Sequence, residues 1–292
     1  MPSDEKRYKD TAVSISEIEF FADDIDPVEA SRVYQAYGCL VVRGLMKDYV
    51  EQIQVDIETI AQESIAQLDQ AQKIVEGWRT PNGTLFLPAP EDYHRDRQIM
   101  VLAIHYHNSD VFRQTSQDPR ALEIVQAILG DDYEVFGNGQ SLYKEPAGGH
   151  SKLLHQDSAY FQHRYQGPIA ILSYVVDTNL TNGALYVVPK SHLLGRLNHI
   201  DTFSHLGLAP EEWDWEDALP IEGQAGDSIF FHVQAIHGSK QNFSDHPRPA
   251  FINRYRARND ETIIGGTTVA NRAESERRYQ QSMASKPESN LV

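Results

Sequence analysis

The stretch Leu154-His155-Gln156-Asp157-Ser158-Ala159-Tyr160-Phe161 sets a histidine and a carboxylate two residues apart. In an extended strand, positions i and i+2 project from one face, so both side chains can grip a single metal ion from one side. A histidine from elsewhere in the chain would complete three ligands on one face of an octahedron and leave the other face open. Two histidines and one carboxylate in that arrangement suit a non-haem Fe(II) that must also bind oxygen. Downstream, His237-Gly238-Ser239 supplies the third ligand, and Arg248 follows His237 by 11 residues.

Further motifs keep a fixed order around this stretch. Gln140-Ser141-Leu142-Tyr143-Lys144 precedes it. After it come Asn182-Gly183-Ala184-Leu185-Tyr186-Val187-Val188-Pro189-Lys190-Ser191-His192, then Ala225-Gly226-Asp227, then His237-Gly238-Ser239 and Arg248. Together, over about residues 140–256, they resemble the phytanoyl-CoA dioxygenase (PhyH) family. The resemblance implies a mainly β fold with flanking helices and a double-stranded β-helix core of the jelly-roll, cupin-like kind. It implies Fe(II) on His155, Asp157 and His237, with 2-oxoglutarate as cosubstrate and O2 as oxidant. It also places Arg248 and Ser239 against the distal carboxylate of 2-oxoglutarate, and a guanidinium matches a carboxylate in a bidentate pair. Gln140 and Ser141 fall on the family strand that contacts cosubstrate and substrate. Related halogenases carry Ala or Gly where Asp157 stands, so an aspartate implies hydroxylation, or desaturation or ring chemistry of the same origin. One departure stands out: Ser173 occupies a position where many members have Trp, with Tyr174 next to it as the replacement wall.

Composition narrows the partners. A chain of 292 residues is long enough to bury a sizeable core, and its 40% hydrophobic content is that of an ordinary globular protein. A formal charge of −16 argues against nucleic acid or an anionic membrane as partner, since both select positive surfaces. A small-molecule substrate is expected, with a monomer or a homodimer as the working form. The single cysteine, Cys39, sits in the apolar run Cys39-Leu40-Val41-Val42 and reads as a small core residue. One cysteine, no apolar run of membrane length, no signal-like N-terminus and no peroxisomal C-terminal address lead to the expectation of a cytoplasmic protein.

The order of elements is expected to be one oxygenase domain over 1–292. A helical N-terminal part covers about 15–130, a β-helix core about 131–258 and a polar tail about 271–292. Asp26-Pro27-Val28-Glu29 starts a helix that Gly38 stops. A long helix is predicted over 48–76 from Val50, Ile53, Ile57 and Ile60 at helical spacing. Residues 78–93, with Pro81, Asn82-Gly83, Pro88 and Pro90, read as a loop covering the site. Asp118-Pro119 starts a helix ended by Gly130. Strands are predicted at 133–136, 140–144, 153–157, 169–176, 184–188, 228–233 and 250–256. Residues 198–220, acidic and carrying Trp213 and Trp215, read as a helical excursion or lid.

Rivals exist at several positions. His232 competes with His237 as third ligand but lacks the following Gly-Ser. His105-Tyr106-His107 would need a nearby Glu to act as a cupin metal pair, and none follows before Glu123, so these histidines read as strand or cleft wall. Ser191-His192 reads as scaffold. Tyr160, Phe161, His163 and Arg164 after the H-x-D strand, with Trp78 and His94 from the loop, are the candidate substrate contacts. The function expected is an Fe(II)- and 2-oxoglutarate-dependent dioxygenase that oxidises a small organic molecule. Two other classes stay open: a metal enzyme on the same barrel without 2-oxoglutarate, and a non-catalytic binding relative.

Overall fold

The computed structural model describes residues 13–74, 77–202 and 205–265. The expected tail at 271–292 lies outside the described residues. Between Gln140 and Ala257 the chain alternates between two antiparallel sheets, which makes the double-stranded β-helix. Gln140–Lys144, Ile169–Tyr174, Ser228–His232 and Arg248–Ala257 join the large sheet. Lys152–His155, Leu185–Val188, Leu219–Ile221 and Ile236–Ser239 form the small one. The large sheet is extended at one end by Cys39–Arg43 and Glu19–Phe21, and at the other by Arg97–Leu102 and Leu85–Pro88.

Strand parity sorts the side chains into layers. In Ile169–Tyr174, Ala170, Leu172 and Tyr174 face the small sheet, where they meet Leu185, Val187 and Ile221. The alternate residues Ile169 and Ile171 face the other way, onto helices α1 (Pro27–Tyr37), α2 (Val50–Ala66) and α4 (Pro119–Leu129). Arg248–Ala257 follows the same rule: Ala250 and Ile252 point into the barrel, Phe251 and Tyr255 toward the helices. Arg248 and Arg254 therefore share the barrel side of one strand. Cys39 is fully buried, and burial pushes its thiol up to about 12, which fits the core role.

The helix ends follow local chemistry. The Asp26 carboxylate accepts the Val28 N–H at 2.9 Å, and Gly38 closes α1 at φ 73°. Asp118 caps α4 in the same way. A short helix α3 (Asp110–Thr115), capped by Ser109, completes the set.

Several expectations need correction. α2 ends at Ala66 and not near residue 76: its buried stripe of Ile53, Ile57, Ile60 and Ser64 runs out, and the chain turns through Leu68–Gln70 into the short strand Gln72–Lys73. The expected loop at 78–93 is largely a hairpin. Trp78–Arg79 and Leu85–Pro88 pair across the Asn82-Gly83 turn, a dipeptide that favours such turns. The helical part thus also supplies strands to the large sheet. The strands Arg97–Leu102, Leu219–Ile221 and Ile236–Ser239 were not foreseen.

The described residues of 198–220 contain one turn of 3-10 helix, Trp215–Asp217, and pack against the outer face of the small sheet. There Leu208, Trp213 and Ala218 pack on Leu154, Tyr186, Val188 and Ile236. The same region seals the free edge of Lys152–His155. The backbone N–H groups of Leu153 and Gln156 donate to His205 Nε2 at 2.9 Å and His199 Nε2 at 3.0 Å. Leu208 N–H donates to the Leu154 carbonyl at 2.8 Å. An edge strand left bare would invite foreign pairing. Among the described residues, no helix is long and apolar enough to cross a membrane.

Candidate active site

The ladder of Lys152–His155 stops at His155, but Gln156 stays extended (φ −114°, ψ 138°), so the parity carries to Asp157. The Gln156 side chain turns the opposite way. Its amide donates to the carbonyls of Gly195 and Gln234 and accepts from Leu197 N–H, which fixes the stretch between its two neighbours. His237 lies directly across from His155 in the sheet register. The result is a buried cluster of His155, Asp157 and His237 whose ligand atoms all lie within 4.8 Å of one another. Asp157 Oδ1 stands 3.9 Å from His155 Nε2 and 3.8 Å from His237 Nε2.

The tautomers are set by the backbone. His155 Nδ1 donates to the Leu153 carbonyl at 2.8 Å and His237 Nδ1 to the Ala235 carbonyl at 3.0 Å. Both Nε2 atoms are left as lone-pair donors turned toward Asp157, the usual device for a ligating histidine. Burial, reinforced for His155 by the neighbouring His237, lowers both imidazole pKa values and keeps the rings neutral. Gly238 is needed between His237 and Ser239, because a Cβ there would come within 2.7 Å of the Lys152 carbonyl oxygen in the facing strand. Gly238→Ala is expected to pry apart the two strands that carry the histidines. A stability loss of about 1–3 kcal/mol, read by denaturant unfolding, should accompany weaker metal binding.

A cavity of about 430 Å³ opens beside the cluster, within the size range of small-molecule sites. At its inner end lies Arg248, only 1% exposed, on the wall together with Ser239. The Arg248 Nε and Nη2 atoms are buried and have no hydrogen-bond acceptor. Its guanidinium carbon sits 5.1 Å from the centre of the Tyr174 ring, which backs the arginine without lining the cavity, and Ser173 faces away onto Ser228. In the adjacent strand the register partner Lys144 is also buried and donates to the His150 carbonyl. A buried guanidinium with unmet donors requires an anion. A dicarboxylate that reaches from Arg248 to the His–Asp–His cluster fits that demand.

A family model described as phytanoyl-CoA dioxygenase (PhyH) matches residues 34–250. The chain belongs to the phytanoyl-CoA dioxygenase family. With the family come Fe(II), 2-oxoglutarate and O2 as cofactors. Among curated relatives, phytanoyl-CoA dioxygenase domain-containing protein 1 of Rattus norvegicus is 29% identical over 51% of this chain and 53% of its own length. The peroxisomal phytanoyl-CoA dioxygenase of Mus musculus is 24% identical over 84% of this chain and 72% of that one. The chain thus spans about half the length of the first of these relatives. The solved structure of the epimerase SnoN with Fe3+, alpha ketoglutarate and nogalamycin RO superposes with a TM-score of 0.62. It shares 18% identity over 81% of this chain and 87% of that one, a likeness of fold.

The remaining expected contacts of this PhyH-family chain divide in two. Gln140, Tyr160 and Phe161 line the cavity. Ser141 does not: it is one residue out of parity with Gln140, and its hydroxyl donates to the Ala250 carbonyl at 3.1 Å. His163 is buried against Phe136 and the Asp260 carbonyl, behind the wall. Arg164 pairs with Glu261 in solvent. Trp78 packs on the helix-side core beneath Arg97, and His94 lies against Tyr93. None of these four is among the cavity-lining residues. His232 accepts from Gln234 N–H, away from the cluster, so His237 is the histidine brought to Asp157. Ser191 bridges the Val188 carbonyl and Ile236 N–H, the scaffold role expected of it. His105 lines the cavity, as the cleft-wall reading expected, whereas three charged lining residues were missed: Arg79, Lys152 and Arg254. Of these Arg254 was within reach, being at even spacing from Arg248 on one strand.

Proposed function

We propose that this chain is a dioxygenase that hydroxylates, or otherwise oxidises at an unactivated C–H bond, a small organic molecule, with release of succinate and CO2. Its place would be in small-molecule metabolism. The carrying observation is the buried Arg248 guanidinium, without an acceptor, in the same cavity as His155, Asp157 and His237. In this reading the two Nε2 atoms and Asp157 Oδ1 hold iron, and Arg248 with Ser239 holds the distal carboxylate of 2-oxoglutarate. Bound iron and cosubstrate supply the oxidising power, by coupling decarboxylation of 2-oxoglutarate to oxidation of the substrate. The chain's own residues position these groups, keep both imidazoles neutral, and exclude water through the apolar wall of Leu172, Leu185, Phe231 and Ile252. A metal enzyme that does not use 2-oxoglutarate would have no use for Arg248, and a non-catalytic relative none for the three converging donors.

One divalent metal per chain is expected, with Fe(II) the active ion. Equilibrium dialysis with Mn(II) or Fe(II), followed by succinate detection with 2-oxoglutarate and O2, tests both statements. Metal between His105 and His107 instead, whose rings lie 5.4 Å apart, would overturn the assignment. A metabolite mixture compared before and after incubation would then reveal the substrate by a mass change.

A further inference from the structure

The cavity's charge runs against that of the chain. The whole sequence carries −16, yet the wall holds the cations Arg79, Lys152, Arg248 and Arg254 against one carboxylate, Asp157. Elsewhere the inner arginines have carboxylates of their own: Arg43 pairs with Glu19 and Asp227, Arg95 with Glu145, Arg120 with Asp118, Arg256 with Glu134. Arg254 differs. Its Nη1 donates to Gln140 Oε1 at 3.0 Å, and its Nη2 lies 3.4 Å from Asp157 Oδ2. Its Nε is buried without an acceptor. Among the described residues, the one carboxylate paired with it is thus the group that would hold the metal. Once Asp157 is committed to a dication, Arg254 faces a positive centre with only an amide oxygen to answer it, an arrangement that favours a further anion. Arg79, nearer solvent, has a single hydrogen bond, to the Gly83 carbonyl at 3.0 Å, and no ion pair among the described residues.

Leu85, Val101, Leu142, Phe136 and Phe161 give the same cavity an apolar and aromatic surface, beside the uncharged polar Asn138 and the ring of His105. We propose that Arg254, steadied by Gln140 and joined by Arg79, forms a second anion subsite beside the metal position, and that the molecule oxidised there is a compact organic acid. Its carboxylate or phosphate faces Arg254 and its apolar body lies on Phe136 and Phe161. This rests on the dioxygenase reading above, with the cosubstrate's distal carboxylate assigned to Arg248.

The test uses the full chain loaded with Mn(II) and 2-oxoglutarate without oxygen, so that binding is read apart from turnover. Three matched probes are titrated by calorimetry: 3-phenylpropionate, its neutral amide, and phenethyl phosphate. At least one anionic probe is expected to bind ten-fold or more tightly than the amide. In Arg254→Gln that preference should fall below about threefold, because a charged hydrogen-bonded partner is lost. Arg79→Gln, more exposed, should cost less. A preference for phosphate over carboxylate, or the reverse, identifies the head group. Equal binding of acid and amide by the wild type, or no measurable binding of any probe, overturns the subsite. So does an unchanged preference in a folded Arg254→Gln. If Arg254→Gln weakens 2-oxoglutarate by the factor expected for the probes, the anion at Arg254 is the cosubstrate's, and the proposal is again overturned. Failure of the wild type to bind Mn(II) or 2-oxoglutarate at all would remove the dioxygenase reading and this one with it, and direct titration of each shows that separately.

Discussion

Asp157→Gly is expected to abolish oxidised product while leaving a folded chain. Asp157 Oδ1 faces both imidazole Nε2 atoms, so its removal takes away the only anionic donor of the cluster. Changes to residues that merely orient metal ligands typically cost about 10–100-fold in affinity or activity, and loss of a ligand itself should exceed that. The fold has little reason to fail. Asp157 stands beyond the last ladder residue of its strand, and Gln156, whose amide ties the stretch to Gly195, Leu197 and Gln234, is untouched. The added backbone freedom of glycine costs about 1 kcal/mol or less. Thermal unfolding by circular dichroism, metal titration and succinate detection on one preparation separate these effects. Near wild-type product from a folded variant would remove Asp157 from the metal site.

The parts of this molecule that were legible in the sequence are those with local causes. Asp26 and Gly38 mark their helix because a cap acts within a turn, and His155 and Asp157 share a face because a strand alternates. Parity also explains an error: Gln140 and Ser141 are adjacent on one strand and cannot both face one cavity. Predicting that strand's neighbour to begin at residue 250 hid a second consequence. The strand begins at Arg248 and runs to Ala257, so Arg248 and Arg254 belong to one inward row. Other features depend on contacts that no local pattern encodes. His199 and His205 close the edge of the H-x-D strand through side-chain acceptors far along the chain, and nothing in residues 198–220 announces that role. His163 and Arg164 follow the motif closely in sequence, but the chain leaves the cavity wall after Phe161 and pairs with Thr262–Gly265. Nearness in sequence to a metal motif is therefore a poor guide to the cavity.

Arg248→Ala is expected to raise the Kd and apparent KM for 2-oxoglutarate by roughly 30-fold to a few thousand-fold, while metal binding persists. The basis is its burial. A guanidinium 1% exposed, with Nε and Nη2 unmatched, is held where water cannot answer it. Truncating one member of such a charged, hydrogen-bonded pair costs about 2–5 kcal/mol, much of it from stranding the other charge. At about 1.4 kcal/mol per decade, that is the range stated. An exposed salt bridge in the same place would be worth about 0–1 kcal/mol, and its loss would scarcely alter turnover. The variant also relieves a cost in the protein without cosubstrate, since Arg248 lies beside buried Lys144 with no carboxylate between them. Its stability without ligand should therefore hold or rise, whereas a structural arginine would leave a weaker fold. Measuring 2-oxoglutarate affinity on Mn(II)-loaded wild type and variant, with denaturant unfolding of both, reads the two effects independently. An affinity change below about threefold, under 0.7 kcal/mol by the same conversion, would mean that the cosubstrate is anchored elsewhere.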